Sequence, residues 1–120
     1  MNTRFVPYPT TDYDIARVTS DEPDPKAGGA AHRYEFWHGD VSVGVLQFQH
    51  GPRNTAGSEA GPFQMQVIAA LLDQFRGFQA GPFASAETAG VVTHLEAVLA
   101  ILQKRRDDRH ARGALGKATA

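Results

Sequence analysis

The 120 residues contain no cysteine. That absence excludes a disulfide scaffold, a thiolate metal site and a cysteine nucleophile, and it fits a reducing compartment. Long hydrophobic runs are missing too, since the unbroken apolar stretches extend over a few residues only and none can cross a bilayer. The opening residues, MNTRFVPYPTTDYD, lack the apolar segment of a secretory signal, so a cytoplasmic protein is expected. There is no Walker loop, no GxSxG, no HxH or HExxH spacing and no carboxylate pair in an apolar setting. No catalytic residues, no cofactor and no metal centre are therefore expected. An overall excess of one charge is also absent, with 12 basic and 13 acidic side chains giving a net charge of −1.

What is present fits one domain spanning 1–120, with a β-rich part over 1–60 and an αα-hairpin over 61–117. The balanced charge hides an asymmetry. Residues 1–60 carry 5 basic and 8 acidic side chains, and residues 61–120 carry 7 and 5. Six of the later bases follow residue 103, where only Asp107 and Asp108 oppose them. A basic patch this small suits a phosphate-bearing partner and falls short of the broadly basic surface of a general nucleic-acid binder.

Residues 1–31 are rich in Pro, Gly, Asp and Thr, and TSDEPDPKAGGAA reads as a solvated loop. A short strand near Ile15–Val18 is a weak signal. Arg33–Trp37 and Val41–Gln49 flank His38-Gly39-Asp40 and read as a β-hairpin. Val41, Val43 and Val45 alternate with Ser42, Gly44 and Leu46, which predicts one apolar face. Gly51-Pro52 ends the hairpin, and 53–61 form a loop. From Pro62 the period turns helical, with a stripe of Val67, Ile68, Leu71, Leu72 and Phe75. Gly77 and Gly81-Pro82 predict its end. Ser85 can cap a second helix with Glu87 in its first turn. That helix carries Val91, Val92, Leu95, Val98, Leu99 and Leu102 and runs to about Ala111, with Gly113 as terminator. The fold class is α+β.

Three groups can carry chemistry. Arg105, Arg109 and Arg112 fall on one helical face. Their forks suit phosphate oxygens and purine rings, and the same residues also read as a solvated helix end favoured by the dipole. Phe78 and Phe83 flank the helix–helix connection, where a ring either stacks on a base or covers the core. Ser85 and Thr88 open the second helix, where free amides take an anion or a simple cap. His32, His38 and His50 lie in or beside the β-hairpin, with neutral, hydrogen-bonded imidazole as the default for each.

The stretch GFQAGPFASAETAGVVTHLEAVLAILQKRRDDRHARGALG resembles the hairpin domain shared by phage anti-Thoeris and anti-CBASS sponge proteins, and more closely the Thoeris anti-defence type one family. Matching positions include Gly77, Phe78, Gln79, Gly81, Pro82, Phe83, Glu87, Thr93, Leu95, Glu96, Arg105, Arg109, Arg112, Gly113 and Gly116. The upstream Phe48-Gln49-His50-Gly51-Pro52 also resembles the family's strand end. The likeness covers roughly 41–117. It implies an N-terminal antiparallel β-sheet followed by a two-helix C-terminal hairpin. It further implies a homodimer or hexamer, and a phage protein acting in the cytoplasm of the infected bacterial host. The implied activity is to bind and sequester cyclic ADP-ribose isomers without cleaving them, which blocks Thoeris defence. Some members also hold cyclic di- or trinucleotides at a second site.

Position by position, Phe78 matches the stacking aromatic. Arg105 and Arg109 match pocket arginines, and Arg112 with the Gly113–Gly116 turn matches the closing segment. Arg53 lies where a further pocket arginine is expected. Thr88 stands where the family has a ligand-contacting Asn, and offers one hydroxyl in place of a carboxamide. Ser85 and Ala86 replace Cys and Arg of the pattern, and Ala114-Leu115 replace Val-Glu. The rival readings are a sponge for CBASS cyclic oligonucleotides, a small basic-tailed interaction module, and a hydrolase of the signal. Membrane and nucleic-acid partners are not expected.

Overall fold

The computed structural model describes residues 4–9, 11 and 13–113. The expectations that fall on Ala114, Leu115, Gly116 and Lys117 lie outside them. The protein is α+β, with a four-stranded antiparallel sheet followed by two helices. The chain divides into two compact units between Gly61 and Pro62.

In the first unit, β1 (Arg4–Val6), β2 (Ala16–Ser20), β3 (Arg33–His38) and β4 (Val41–Gln47) lie in the order β1-β2-β3-β4. Gly39 donates its amide to the carbonyl of Ile15 at 3.0 Å, which ties the β3–β4 turn to the start of β2. The register of β3 on β4 slips after Phe36↔Gly44, and Trp37 pairs with Ser42. The extra residue, Val43, forms a bulge that reverses the alternation of everything before it. Val45 therefore sits opposite Glu35 and Val41 opposite His38, on different faces. The single apolar face expected from Val41, Val43 and Val45 does not form, and these side chains are 64%, 64% and 47% exposed.

The most buried positions of the sheet are polar. Ser20 is fully buried and Thr19 nearly so. Buried hydroxyls are tolerated when they are hydrogen-bonded. Ser20 Oγ accepts from Arg4 Nε at 2.8 Å and donates to the Asp21 carbonyl at 2.9 Å. Thr19 Oγ1 accepts from Trp37 Nε1 at 2.9 Å. The loop expected over 19–31 thus yields its first two residues to β2, because side chains distant in sequence satisfy them. The remainder is an organised loop. Asp21 Oδ1 accepts from the amides of His32 and Arg33 at 3.1 and 3.2 Å, and Pro25–Ala27 form a 3-10 turn capped by Asp24.

In the second unit, α1 (Gln64–Gln79) and α2 (Ala86–Ala111) form the αα-hairpin. Phe63 has no side-chain acceptor to cap α1, but Gln66 Oε1 accepts from its amide at 2.8 Å. The helix runs through Gly77, the first of the two expected stops, and ends at Gln79 with Ala80 as its cap, just ahead of Gly81-Pro82, the second. A single glycine costs a helix about 1 kcal/mol, which is too little to stop one whose neighbours continue the hydrogen-bond ladder. Ser85 caps α2 as expected, accepting from the Thr88 amide at 3.0 Å, and Gly113 at φ +71 follows its last turn. Leu72 is the most enclosed side chain of the stripe, at 3% exposure. Arg76 and Glu96 bridge the two helices at 2.7 Å.

Candidate functional site

Each unit holds part of the expected ligand set. At the hairpin turn, Gln79 Oε1 accepts from the Ser85 amide at 3.1 Å, and Ser85 and Thr88 hydroxyls pair at 3.0 Å. The Thr88 side chain is thus engaged locally with the cap. Phe78 packs edge-on against Phe75, with centroids 5.8 Å apart, and tilts toward Phe83 at 6.0 Å. Phe78 is 37% exposed and Phe83 70% exposed. Together they make an aromatic surface that solvent reaches, of a kind on which a planar ring can stack.

The arginines lie at the other end of α2. Arg105 is exposed, Arg109 half-buried, and Arg112 is the exposed C-cap residue. Thr88 and Arg105 are 17 positions apart in one continuous helix, an axial separation of about 26 Å at 1.5 Å per residue. A single chain therefore does not bring Phe78 and Thr88 together with Arg105, Arg109 and Arg112. Two aspartates lie among these bases. Asp108 bonds Lys104 at 2.8 Å and Asp107 lies 3.6 Å from Arg106. The bond to Asp108 holds the Lys104 ammonium above its ordinary value.

Arg53 belongs to the first unit. It sits in the loop after β4 and donates from Nη2 to the carbonyl of Gly61 at 3.3 Å. The loop wraps a shallow cavity of about 180 Å³ lined by Gln49, Arg53, Asn54, Thr55, Ser58 and Ala60. That is smaller than the roughly 300–1,000 Å³ of a drug-sized ligand pocket, and it suits one polar group of a ligand. The neck of the loop is a two-bond bridge. The His50 amide donates to the Glu59 carbonyl at 2.9 Å, and the Glu59 amide to the His50 carbonyl at 2.8 Å. Two glycines make this closure feasible. Gly51 has φ +92, and a Cβ there would collide with the Ser58 hydroxyl. A Cβ on Gly61 would collide with the Gln47 carbonyl oxygen.

Beside that neck lies a group that no spacing in the sequence points to. His32 and His50 stack with centroids 4.1 Å apart and planes 6° from parallel. His50 Nε2 is 2.7 Å from Asp24 Oδ2, and Nδ1 is 3.5 Å from Glu59 Oε1. A carboxylate thus faces each of its nitrogens. The Asp24 carboxyl is held below the ordinary carboxylate value, first by its bond to His50 and then by the Lys26 amide. The members are 26 and 18 residues apart in the chain, so no local spacing announces them. Only the pairing of β2 with β3 and the closure of the 50–59 loop bring them together. His38 is exposed at the end of β3. Among the described residues no cluster of His, Asp and Glu could hold a metal ion, and no helix is long and apolar enough to cross a membrane.

No protein-family model matches the chain, and no curated protein matches it.

Proposed function

We propose that this protein is a phage immune-evasion sponge that binds cyclic ADP-ribose-type signalling nucleotides and holds them without cleaving them. The ligand contacts in this reading are Phe78, Thr88, Arg105, Arg109, Arg112 and Arg53. The observation that carries it is the arginine face of α2. Three forked cations, Arg105, Arg109 and Arg112, share one side of a helix end. Such forks hold diphosphate oxygens in bidentate pairs. The aromatic surface at Phe78 and Phe83 offers a platform for adenine. A sponge requires tight, pre-formed contacts and no acid–base machinery.

The separation along α2 gives the reading a further consequence. A nucleotide a dozen ångströms across does not reach from Thr88 to Arg105 of one chain. A second copy, laid so that its arginine end meets the first copy's turn, supplies the missing half. Exposed apolar side chains on the hairpin, including Leu71, Val98 and Ile101, offer that copy a surface.

The test is retention. Purified protein is incubated with cyclic ADP-ribose isomers, free ligand is removed, the protein is heat-denatured, and the supernatant is chromatographed. Depletion before heating and intact recovery afterwards support the sponge. Recovery of a cleaved product overturns it in favour of a hydrolase. No depletion of these isomers, with depletion of cyclic di- or trinucleotides, moves the ligand class to cyclic oligonucleotides. No depletion of either ligand removes the reading.

A further inference from the structure

We propose that His50 is a proton-dependent clasp that positions the Arg53 loop. The observations are geometric. The loop from 50 to 59 is closed at its neck by the His50–Glu59 backbone bridge. The loop from 24 to 30 is closed in the same way, by the amide of Asp24 donating to the carbonyl of Ala30 at 3.0 Å. The imidazole of His50 stands where the two necks meet, 2.7 Å from Asp24 of one and 3.5 Å from Glu59 of the other. A neutral imidazole donates from one nitrogen only. It serves one carboxylate and turns a lone pair toward the other. The imidazolium donates from both and ties the two loops together.

The groups facing His50 are Asp24 from the β2–β3 loop, Glu59 from its own loop, and His32 through the ring stack. Lys26 meets Asp24 through its backbone amide, and Asp21 reaches only the amides of His32 and Arg33. His32 Nδ1 is buried with no hydrogen-bond partner among the described residues. Two positive rings stacked at 4.1 Å would repel each other, and both carboxylates face His50.

The consequence falls on Arg53, three residues beyond His50 and inside the loop that the clasp closes. With the neck pinned, Arg53, Asn54, Thr55 and Ser58 keep the cavity formed. With it loosened, ligand binding must also order the loop, which weakens affinity. His50 is thus a positioning residue. The effect on affinity rests on the proposed nucleotide binding, whereas the effect on the loop is measurable without ligand.

The experiment has two arms on the full chain, each run from about pH 8 to about pH 5.5, the range in which imidazoles gain a proton. In the first, NMR without ligand follows the His50 ring, the Arg53 Nε–H and the amides of Thr55 and Ser58. Wild-type loop signals are expected to sharpen, and their exchange with water to slow, with the midpoint of His50 protonation. In His50→Gln they should not follow pH, and in Glu59→Gln the change should shrink while the Asp24 contact remains. In the second arm, cyclic ADP-ribose binding is expected to tighten about three- to tenfold toward low pH in wild type. The other four histidines, His32, His38, His94 and His110, are present in both proteins, so the diagnostic is the difference from His50→Gln. Loop signals independent of His50 protonation overturn the clasp. So does a wild-type binding profile that matches that of the variant. A loop that follows pH in a protein that binds no nucleotide leaves the clasp standing and removes the proposed function instead. If His50→Gln does not fold, Glu59→Gln decides, and an unchanged loop transition in it overturns the proposal.

Discussion

The two units of this chain make their small interiors from opposite materials. In the sheet, the most enclosed side chains are Ser20 and Thr19, each matched to a donor from another strand. In the same unit, where two loops close, the His50 imidazole faces the carboxylates of Asp24 and Glu59. In the hairpin, the most enclosed side chain is Leu72, flanked by an apolar stripe that remains partly exposed. The difference bears on how each unit fails. A polar interior depends on donors, acceptors and pH, whereas an apolar stripe depends on volume and on whatever covers it. It also separates stability from chemistry in the hairpin. The arginines sit at the end of α2, beyond the last residues of its apolar stripe.

The largest expected effect tests that separation. Arg109→Ala should lower nucleotide retention by a hundredfold or so, as the loss of one charged fork from a desolvated site costs roughly 2–5 kcal/mol. Retention measured beside thermal unfolding checks it, and unchanged retention in a folded variant takes Arg109 out of the pocket. Leu72→Ala is the complementary change. It empties the most enclosed position of the stripe and should cost about 2–5 kcal/mol, read by urea unfolding. A cost below about 1 kcal/mol would mean that the hairpin draws its stability from outside this stripe.

The contrast also explains what was legible in the residues. The hairpin could be read because its signals are local: a 3.6-residue period, Ser85 ahead of a helical run, and Gly113 after it. Its edges shift by little: Pro62 lies just ahead of the Phe63 cap rather than in the first turn, and the helix passes Gly77 to end immediately before Gly81-Pro82. The sheet was harder to read. β1 is three residues long and has no room for a pattern. Thr19 and Ser20 look like loop residues until Trp37 and Arg4 meet them. The bulge at Val43 breaks an alternation that is regular on paper. The candidate site divides the same way. The arginine face follows from helical spacing, and the Asp24–His50–Glu59 group has no signal short of the strand pairing itself.

Acid should distinguish the units. Asp24 has a folded-state value below the ordinary 3.8, because its charged form is held by His50 and the Lys26 amide. A depressed carboxyl stabilises the fold above its unfolded value and loses that contribution as pH falls through the folded one. The sheet unit of the wild type should therefore weaken between about pH 5 and pH 2. Asp24→Asn, which cannot titrate there, should lose part of that dependence. Tryptophan fluorescence reports the sheet through Trp37, the chain's single tryptophan, while far-UV dichroism follows the helices. Identical acid profiles for wild type and variant would remove Asp24 as a source of the sheet's pH dependence.

The smallest expected effect probes an ion pair that links the hairpin's helices. Arg76 and Glu96 meet at 2.7 Å, but their side chains are 55% and 49% exposed. Water and salt screen such a pair, and its coupling should be about 0.2–1 kcal/mol. A double-mutant cycle with Arg76→Gln and Glu96→Gln measures it. A coupling well above that range would mean that the pair is desolvated in the assembled protein. This is the outcome expected if a second copy lies along this face of the hairpin, and raising the ionic strength would then weaken the coupling little. A coupling that stays small and fades with salt leaves the pair in water and turns the search for a covering surface to the opposite face.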